Sequence, residues 1–180
     1  MKIQDDVLLR ADNQDFDATG AFVVPEGVRE IDGNAFMFSD KFLRSIVIPE
    51  GVEKIGSFCF YRCENLSDIN LPRSLKKVGD LVFFDCKSLQ GLEFPEGVEY
   101  IGKGVFTSCD NLETVIIPHS VKKIGSDTFY GCDELKNLAI PKRFENEIDD
   151  ILGGYFVGRQ KPQILFTESV QQTPKQIEEK

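Results

Sequence analysis

Four of the five cysteines recur at a fixed interval, which makes them the first candidates for chemistry. Cys63, Cys86, Cys109 and Cys132 are 23 residues apart, and Cys59 stands outside this series. Evenly spaced thiols could hold zinc, but tetrahedral ligation needs four sulfurs around one point, whereas a repeating unit arranges them along a line. The spacing therefore favours buried thiols that fill a small apolar slot, with zinc ligation as the alternative.

The other residues that could support catalysis are isolated. His119 is the only histidine, and it follows Pro118 at a position typical of a surface turn. A Ser-His-Asp or Cys-His arrangement would depend on this one imidazole. The carboxylates show neither metal-binding nor glycosidase spacing, and no glycine-rich phosphate loop opens a helix. We therefore predict a non-enzymatic protein with no catalytic residue, no cofactor and no metal.

The cysteine interval belongs to a longer repeat that organises most of the chain. Six prolines follow one another at intervals of 24, 23, 23, 23 and 23 residues and delimit five complete units. These prolines are Pro25, Pro49, Pro72, Pro95, Pro118 and Pro141. A fixed period in this range is typical of a solenoid, in which each unit packs only on its neighbours.

Other columns keep the same period and describe one unit. An aromatic column comprises Phe36, Phe60, Phe83, Phe106 and Phe129. An aliphatic column, usually followed by glycine, comprises Ile31, Ile55, Val78, Ile101 and Ile124. Each unit is predicted to hold a short strand before the proline, a second extended piece, and a turn or 3₁₀ segment. We expect the glycine after the aliphatic residue to permit a tight backbone bend.

The repeat pattern is specific enough to indicate a family. Over residues 22–141 it reads P-x-x-V-x-x-I-G-x-x-x-F-x-x-C-x-x-L-x-x-I-x-I, which resembles the BspA-like, Treponema pallidum type of leucine-rich repeat. The resemblance implies a leucine-rich-repeat solenoid of the α/β horseshoe class, with mostly short parallel strands, turns and 3₁₀ pieces. It also implies adhesion or protein binding, as in the better-known bacterial and protozoal members, and it carries no catalytic residues.

The segments outside the repeats are predicted to cap the stack. Residues 1–21 are expected to form an N-terminal cap, residues 22–141 the repeats, residues 142–166 a C-terminal cap of a helix plus a strand, and residues 167–180 a polar, disordered tail.

Two phenylalanines of the first unit have no counterpart in the columns. Phe38 and Phe42 lie in a stretch that holds one extra residue and lacks the cysteine. We expect them to pack beneath the N-terminal cap. The alternative is an apolar bump for a partner.

Charge and hydropathy limit the partners and the location of the chain. Its net charge is −9 and its pI is near 4.7, whereas nucleic acid and anionic membranes attract clustered lysine and arginine. No apolar stretch approaches the ~18 residues of a membrane span. The N-terminal residues are acidic where an export signal needs a basic start. Together with the unpaired thiols, this predicts a cytoplasmic protein, and non-classical secretion or delivery into a host cell stays open.

A solenoid usually binds along its outward faces, which supply the candidate site. The strand side should expose Arg44, Val47, Asn70, Glu93 and Ile116. The opposite side should expose Lys77, Tyr100 and Lys123, where we expect solvated surface and inter-repeat ion pairs, with a patch for an acidic partner loop as the alternative. We predict a protein-interaction module, favoured as a monomer, whose partner is a protein. The alternative is a cell-surface adhesin or glycan-binding repeat protein.

Overall fold

The computed structural model describes residues 1–37, 39, 41–156 and 159–168. The helical segments in this part are two 3₁₀ turns, Asn13–Asp15 and Lys142–Glu147, and the five-residue helix α1 (Ile148–Leu152). The strands are, in chain order, β1 (Lys2–Gln4), β2 (Val7–Arg10), β3 (Ala21–Val23), β4 (Glu30–Ile31), β5 (Ser45–Val47), β6 (Lys54–Ile55), β7 (Asp68–Asn70), β8 (Lys77–Val78), β9 (Gly91–Glu93), β10 (Tyr100–Ile101), β11 (Thr114–Ile116), β12 (Lys123–Ile124), β13 (Asn137–Pro141) and β14 (Gln163–Thr167). The predicted solenoid of short strands with little helix is confirmed.

Each repeat unit contributes one strand to each of two ladders. The first ladder is a seven-stranded sheet in the order β1-β2-β4-β6-β8-β10-β12. The second ladder consists of a three-stranded sheet, β3-β5-β7, and a four-stranded sheet, β14-β13-β11-β9. Neighbouring repeat strands are parallel and in register, so that Ile55 pairs with Val78 and Tyr100 with Lys123. Equivalent residues of successive units therefore lie one above the other.

Alternation along the short strands directs one apolar side chain inward and the next outward. In β5, Ile46 is buried and Val47 is exposed, and in β11 the same holds for Val115 and Ile116. In the second ladder, β3, β5, β7, β9 and β11 end before a proline, which has no N–H to donate, whereas β13 extends through Pro141. The outward residues of the strands are thus set by the same pattern that builds the core.

The phenylalanine column forms the centre of the core. The rings of Phe36, Phe60, Phe83, Phe106 and Phe129 stack on one another with centroids 5.2 to 5.6 Å apart. Each ring is fully buried. Because every ring contacts the rings above and below it, no unit can bury its phenylalanine without its neighbours.

The glycine column serves close packing between units, and its residues do not use the positive φ that glycine allows. Gly56, Gly79, Gly102 and Gly125 are absent from the residues with positive φ. Each instead lies against the backbone of an adjacent unit. A Cβ added at Gly102 would lie 2.4 Å from both the carbonyl carbon and the carbonyl oxygen of Gly79. Only glycine allows the two units to approach this closely.

Replacing Gly102 with alanine is expected to lower the free energy of unfolding by about 1–3 kcal/mol, because the added methyl group forces two rigid backbones apart. Gly91 provides a matched control, since it also has an ordinary φ but its added Cβ would lie 3.2 Å from its nearest neighbour, the Thr114 carbonyl oxygen. Urea denaturation of both variants measures the difference. An equal loss in the two variants would contradict the packing explanation.

A hairpin closes the N-terminal end of the seven-stranded sheet. β1 and β2 are antiparallel, and β2 continues the ladder by pairing in parallel with β4. The ring of Phe42 stacks on Phe16 of the preceding segment with centroids 6.1 Å apart, although 36% of Phe42 stays exposed. Phe42 therefore packs against the N-terminal segment, residues 1–21, whereas Phe38 lies outside the described residues.

The C-terminal end of the stack is covered by α1 and extended by β14. The N–H groups of Asp127 and Phe129 donate to the carbonyls of Asp150 and Ile151, as they would to a further repeat. Gly153 ends α1 in the left-handed conformation, with φ of 73°. Residues 169–180, the greater part of the predicted tail, lie outside the described residues.

Candidate functional site

The periodic cysteines are structural parts of the core. Each thiol donates a hydrogen bond to the carbonyl of the phenylalanine one unit earlier, at 3.0 to 3.2 Å. The four pairs are Cys63 with Phe36, Cys86 with Phe60, Cys109 with Phe83 and Cys132 with Phe106. Cys59 occupies the small, buried position that Val82 and Val105 fill in later units. All five cysteines are buried. In the first unit Ser39 takes the place of the periodic cysteine.

Burial makes these sulfurs poor nucleophiles and poor ligands. Desolvation raises the pKa of the Cys132 thiol from 9.0 to about 12 and the pKa of Cys59, Cys86 and Cys109 well above 9.0. The reactive thiolate is therefore strongly disfavoured at neutral pH. Over the described residues, no group of three or more His, Cys, Asp and Glu side chains converges as a metal site requires.

His119 lies in a turn between units. Its backbone N–H donates to the Glu96 carboxylate at 3.3 Å, and its carbonyl accepts from the Arg143 guanidinium at 2.5 Å. Equivalent bonds recur in other units, since the Glu50 carboxylate accepts from the N–H of Arg73 at 3.0 Å. The His119 position is thus part of the repeat geometry.

The structure brings together the residues predicted on the seven-stranded sheet. The ammonium groups of Lys77 and Lys123 lie 5.1 and 6.0 Å from the centroid of the Tyr100 ring, one on each neighbouring unit. These distances allow cation–π attraction. The predicted inter-repeat ion pairs are also present, with Lys122 and Glu99 at 2.9 Å. Lys77, Tyr100 and Lys123 therefore form one compact cluster.

The residues predicted on the strand side fall into two groups. Arg44, Val47 and Asn70 are exposed beside the three-stranded sheet, and Glu93 and Ile116 are exposed on the four-stranded sheet. The sheets are separate because β7 and β9 do not pair. On either side of this break, the backbone N–H of Ser67 donates to the Arg44 carbonyl, and the N–H of Glu113 donates to the Gln90 carbonyl. The equivalent hydrogen bond from the Gln90 N–H to the Ser67 carbonyl is not formed. The five residues therefore lie on two sheets.

A third surface was not foreseen from the sequence. Phe58, Tyr61, Leu81 and Phe84 project from the turns of the second and third units, and we call them the aromatic flank. The rings of Tyr61 and Phe84 stack with centroids 4.7 Å apart and planes 8° apart, and the Phe58 ring lies 5.9 Å from Tyr61. Phe58 is 36% exposed, and the other three are half-buried. The flank is thus an ordered apolar surface that contacts solvent.

The backbone conformation beneath the aromatic flank does not suit its residues. Phe58 and Leu81 have φ of 64° and 53°, in the left-handed region. The fourth unit places Gly104 at the same position, with φ of 59°. A residue with a Cβ costs about 1–2 kcal/mol in this conformation. The turn alone would favour glycine or asparagine, so the large apolar side chains are kept against local preference.

Charged residues follow the flank in each unit and neutralise one another. Lys87 lies 3.2 Å from the Glu64 carboxylate and 3.4 Å from Asp85, and Arg62 lies 3.4 Å from Asp85. The ion pair with Lys87 holds the pKa of Glu64 below its ordinary value. Two cations and two anions leave this border without net charge, so it neither attracts nor repels a charged partner strongly.

A weak signal for the flank exists in the sequence. The residue after each buried phenylalanine is aromatic in three units, as Tyr61, Phe84 and Tyr130. The fourth unit has Thr107 at this position. The position therefore does not keep one residue type from unit to unit, and a comparison based on identical residues does not detect it.

The fold and its surfaces define a leucine-rich-repeat protein, built as a stack of equivalent units with exposed flanks. The sequence matches the BspA type leucine rich repeat region in six copies over residues 29–152. The chain therefore belongs to the BspA type leucine-rich-repeat family, as the repeat pattern indicated. Members of this class generally serve as non-enzymatic scaffolds that bind proteins.

Solved structures of bacterial proteins share this architecture. The Treponema pallidum leucine rich repeat protein is 37% identical with a TM-score of 0.66, over 68% of this chain and 59% of its own. A leucine rich cell surface protein from Faecalibacterium prausnitzii is 34% identical with a TM-score of 0.66, over 73% of this chain and 34% of its own. The pneumococcal vaccine antigen PcpA is 23% identical with a TM-score of 0.69, over 91% and 45%, and shows the shared fold.

Two further findings concern the chain as a whole. No curated protein matches it. Within the described ranges, no helix is long and apolar enough to cross a membrane.

Proposed function

We propose that the protein is a non-enzymatic interaction module that binds a protein partner through the aromatic flank. The observation that carries this proposal is the retention of Phe58 and Leu81 in left-handed turns, where glycine or asparagine would be more stable. Large apolar residues held at solvent-contacting positions against their local preference are explained by a contact that they make with another molecule.

The chemistry of the flank favours an apolar protein surface as its partner. Aromatic residues are enriched at the centres of protein interfaces, where the surrounding contacts exclude water and the rim is polar. Tyr61 and Phe84 give one ring face to each other, which removes that face from sugar stacking. The stacked rings are also ordered before binding, so little side-chain entropy is lost when the partner docks.

Replacing Phe58 with asparagine is expected to separate binding from stability. Asparagine tolerates φ of 64° better than phenylalanine, which offsets the lost contact with Tyr61, so the free energy of unfolding should change by less than about 1 kcal/mol. Loss of an interface anchor should weaken partner binding at least about tenfold. Urea denaturation measures the first quantity, and affinity capture from lysate of the native cell, followed by titration of the captured protein, measures the second.

Val47→Asn supplies the matched control for this experiment. Val47 is 47% exposed on the strand side, away from the turns that carry the flank. The Val47→Asn variant should keep both the stability and the partner affinity of the parent protein. A partner that binds Phe58→Asn as tightly as the parent protein and loses affinity for Val47→Asn would contradict the proposal and favour the strand side.

A surface-exposed role is the second candidate function. It is favoured by the Faecalibacterium prausnitzii relative, which is 34% identical and is described as a cell surface protein. Buried, reduced thiols suit the cytoplasm but do not require it, because all five are shielded from solvent. Protease treatment of intact native cells distinguishes the two locations, since a surface protein would be cleaved and a cytoplasmic one protected.

A further inference from the structure

β14 leaves one edge of the four-stranded sheet open. It pairs with β13 along five residues, from Gln163 with Asn137 to Thr167 with Pro141. Among the described residues no strand pairs with its other edge. An open edge presents unpaired N–H and C=O groups that can pair with another chain. β14 is therefore a potential contact surface.

The usual protections of an edge strand are missing from β14. The segment QILFT has no charge, no proline and no glycine, and it keeps register with β13 at every position. Leu165 is 62% exposed and continues an outward apolar column through Ala139 to Ile116, itself 39% exposed. The edge thus adjoins an apolar surface that water solvates poorly.

The free backbone groups are arranged for self-pairing. The N–H of Gln163 donates to the Lys136 carbonyl at 2.7 Å, so Gln163 and Leu165 point toward β13. Because successive residues of a strand alternate, Ile164 and Phe166 direct their N–H and C=O groups to the open edge. In an antiparallel pair centred on Leu165, Ile164 of one copy faces Phe166 of the other. Each such pair forms two hydrogen bonds.

We propose that β14 is a self-association edge, through which two copies of this chain form a weak, two-fold symmetric dimer. The two four-stranded sheets join into one continuous sheet, in which the two central β14 strands are antiparallel. The two Leu165 side chains meet on the symmetry axis. The charged residues that bound the strand pair within the chain, Lys161 with Asp149 at 2.7 Å and Glu168 with Lys142 at 2.9 Å, so neither adds an unpaired charge that would oppose the strand pairing. Two five-residue strands bury less than the ~1,200 Å² of a stable interface, so the dimer is reversible.

Sedimentation equilibrium of the full chain tests this arrangement. The average mass should rise from 20.3 kDa toward twice that value between micromolar and several hundred micromolar protein. Leu165→Lys places two ammonium groups on the axis and should keep the mass at the monomer value. Val23→Lys is the control, since Val23 is 67% exposed on β3 and makes the same change of charge. It should associate as the parent does.

A cross-linking variant provides an independent measurement. Cysteines at opposed positions of an antiparallel pair lie close enough for a disulfide. Leu165→Cys should therefore oxidise in air to a covalent dimer at least tenfold faster than Val23→Cys, with the five native thiols buried and silent. A mass of 20.3 kDa at all concentrations, as expected if residues after 168 cover the edge, would overturn the proposal. So would equal cross-linking of the two variants.

Discussion

Replacing Phe106 with alanine is expected to lower the free energy of unfolding by about 3–5 kcal/mol, the range for a fully buried aromatic side chain. Its ring stacks on Phe83 and Phe129 with both centroids 5.6 Å away, and it contacts Phe94 at 5.9 Å. The cavity would open in the column of stacked rings that packs the fourth unit against its neighbours. Since solenoid stability depends on contacts between neighbours, the loss weakens both interfaces of the fourth unit.

Phe84→Ala is the appropriate control for this substitution. Phe84 is also a phenylalanine and directly follows Phe83, the stacked ring of the third unit, but its own ring is half-buried. Its replacement should lower the free energy of unfolding by less than half as much as Phe106→Ala. Chemical denaturation of the two variants gives the comparison. Equal losses would mean that the phenylalanine stack is not the centre of the core.

Alkaline pH is expected to destabilise the protein steeply. Burial raises the pKa of Cys59, Cys86, Cys109 and Cys132 above the ordinary value of 9.0. The unfolded chain releases these protons above pH 9.0, whereas the folded chain retains them, so the stabilisation is complete below pH 9.0 and declines as the pH rises. Each thiol changes the unfolding free energy by about 1.4 kcal/mol per pH unit, and four together by about 5 kcal/mol per pH unit.

Urea denaturation in a phosphine reductant, at successive pH values from 8 upward, measures this slope. Cys109→Ser isolates one contribution, because the serine hydroxyl can still donate to the Phe83 carbonyl but does not ionise in this range. It should reduce the alkaline slope by about a quarter. A stability that stays constant across pH 9 and 10 would show that the thiols are not buried as the structure places them.

The core could be predicted from the sequence because its residues repeat. Phe83, Phe106 and Phe129 share one residue type at one period, and a side chain that recurs in this way must stack on its copies in a solenoid. The thiol column followed from the same argument. Its hydrogen bonds to the phenylalanine carbonyls did not, because they depend on the path of the backbone one unit earlier.

Other features could not be read from residue types. Phenylalanine and leucine rarely adopt positive φ, so the identities of Phe58 and Leu81 do not indicate the left-handed turn. The residues that mark this position are those of the other units, Asn34, Gly104 and Asp127, which all have positive φ. Gly102 was assigned a bend because glycine permits one, whereas its role is contact between units. A strand was predicted in the C-terminal cap, but its register could not be, since Ile164 of β14 pairs with Leu138, 26 residues earlier, instead of 23.

Of the predicted binding residues, one set lies along a single sheet and the other set lies on two sheets. Lys77, Tyr100 and Lys123 lie together because the register of β8, β10 and β12 superposes them. The strand-side set is interrupted between β7 and β9, where the ladder of the second sheet is broken. The sequence pattern is the same on both sides of this break, so periodicity alone could not reveal it.

Site-specific photo-cross-linking in the native cell tests most directly which surface meets the partner. A photoreactive phenylalanine analogue is placed at Phe84 in the flank, at Tyr100 on the seven-stranded sheet, or at Val47 on the strand side. We expect one protein to be cross-linked from position 84 only, and to be lost when Phe58→Asn is added. Cross-links that arise from position 47 or 100, with none from 84, would contradict binding through the aromatic flank.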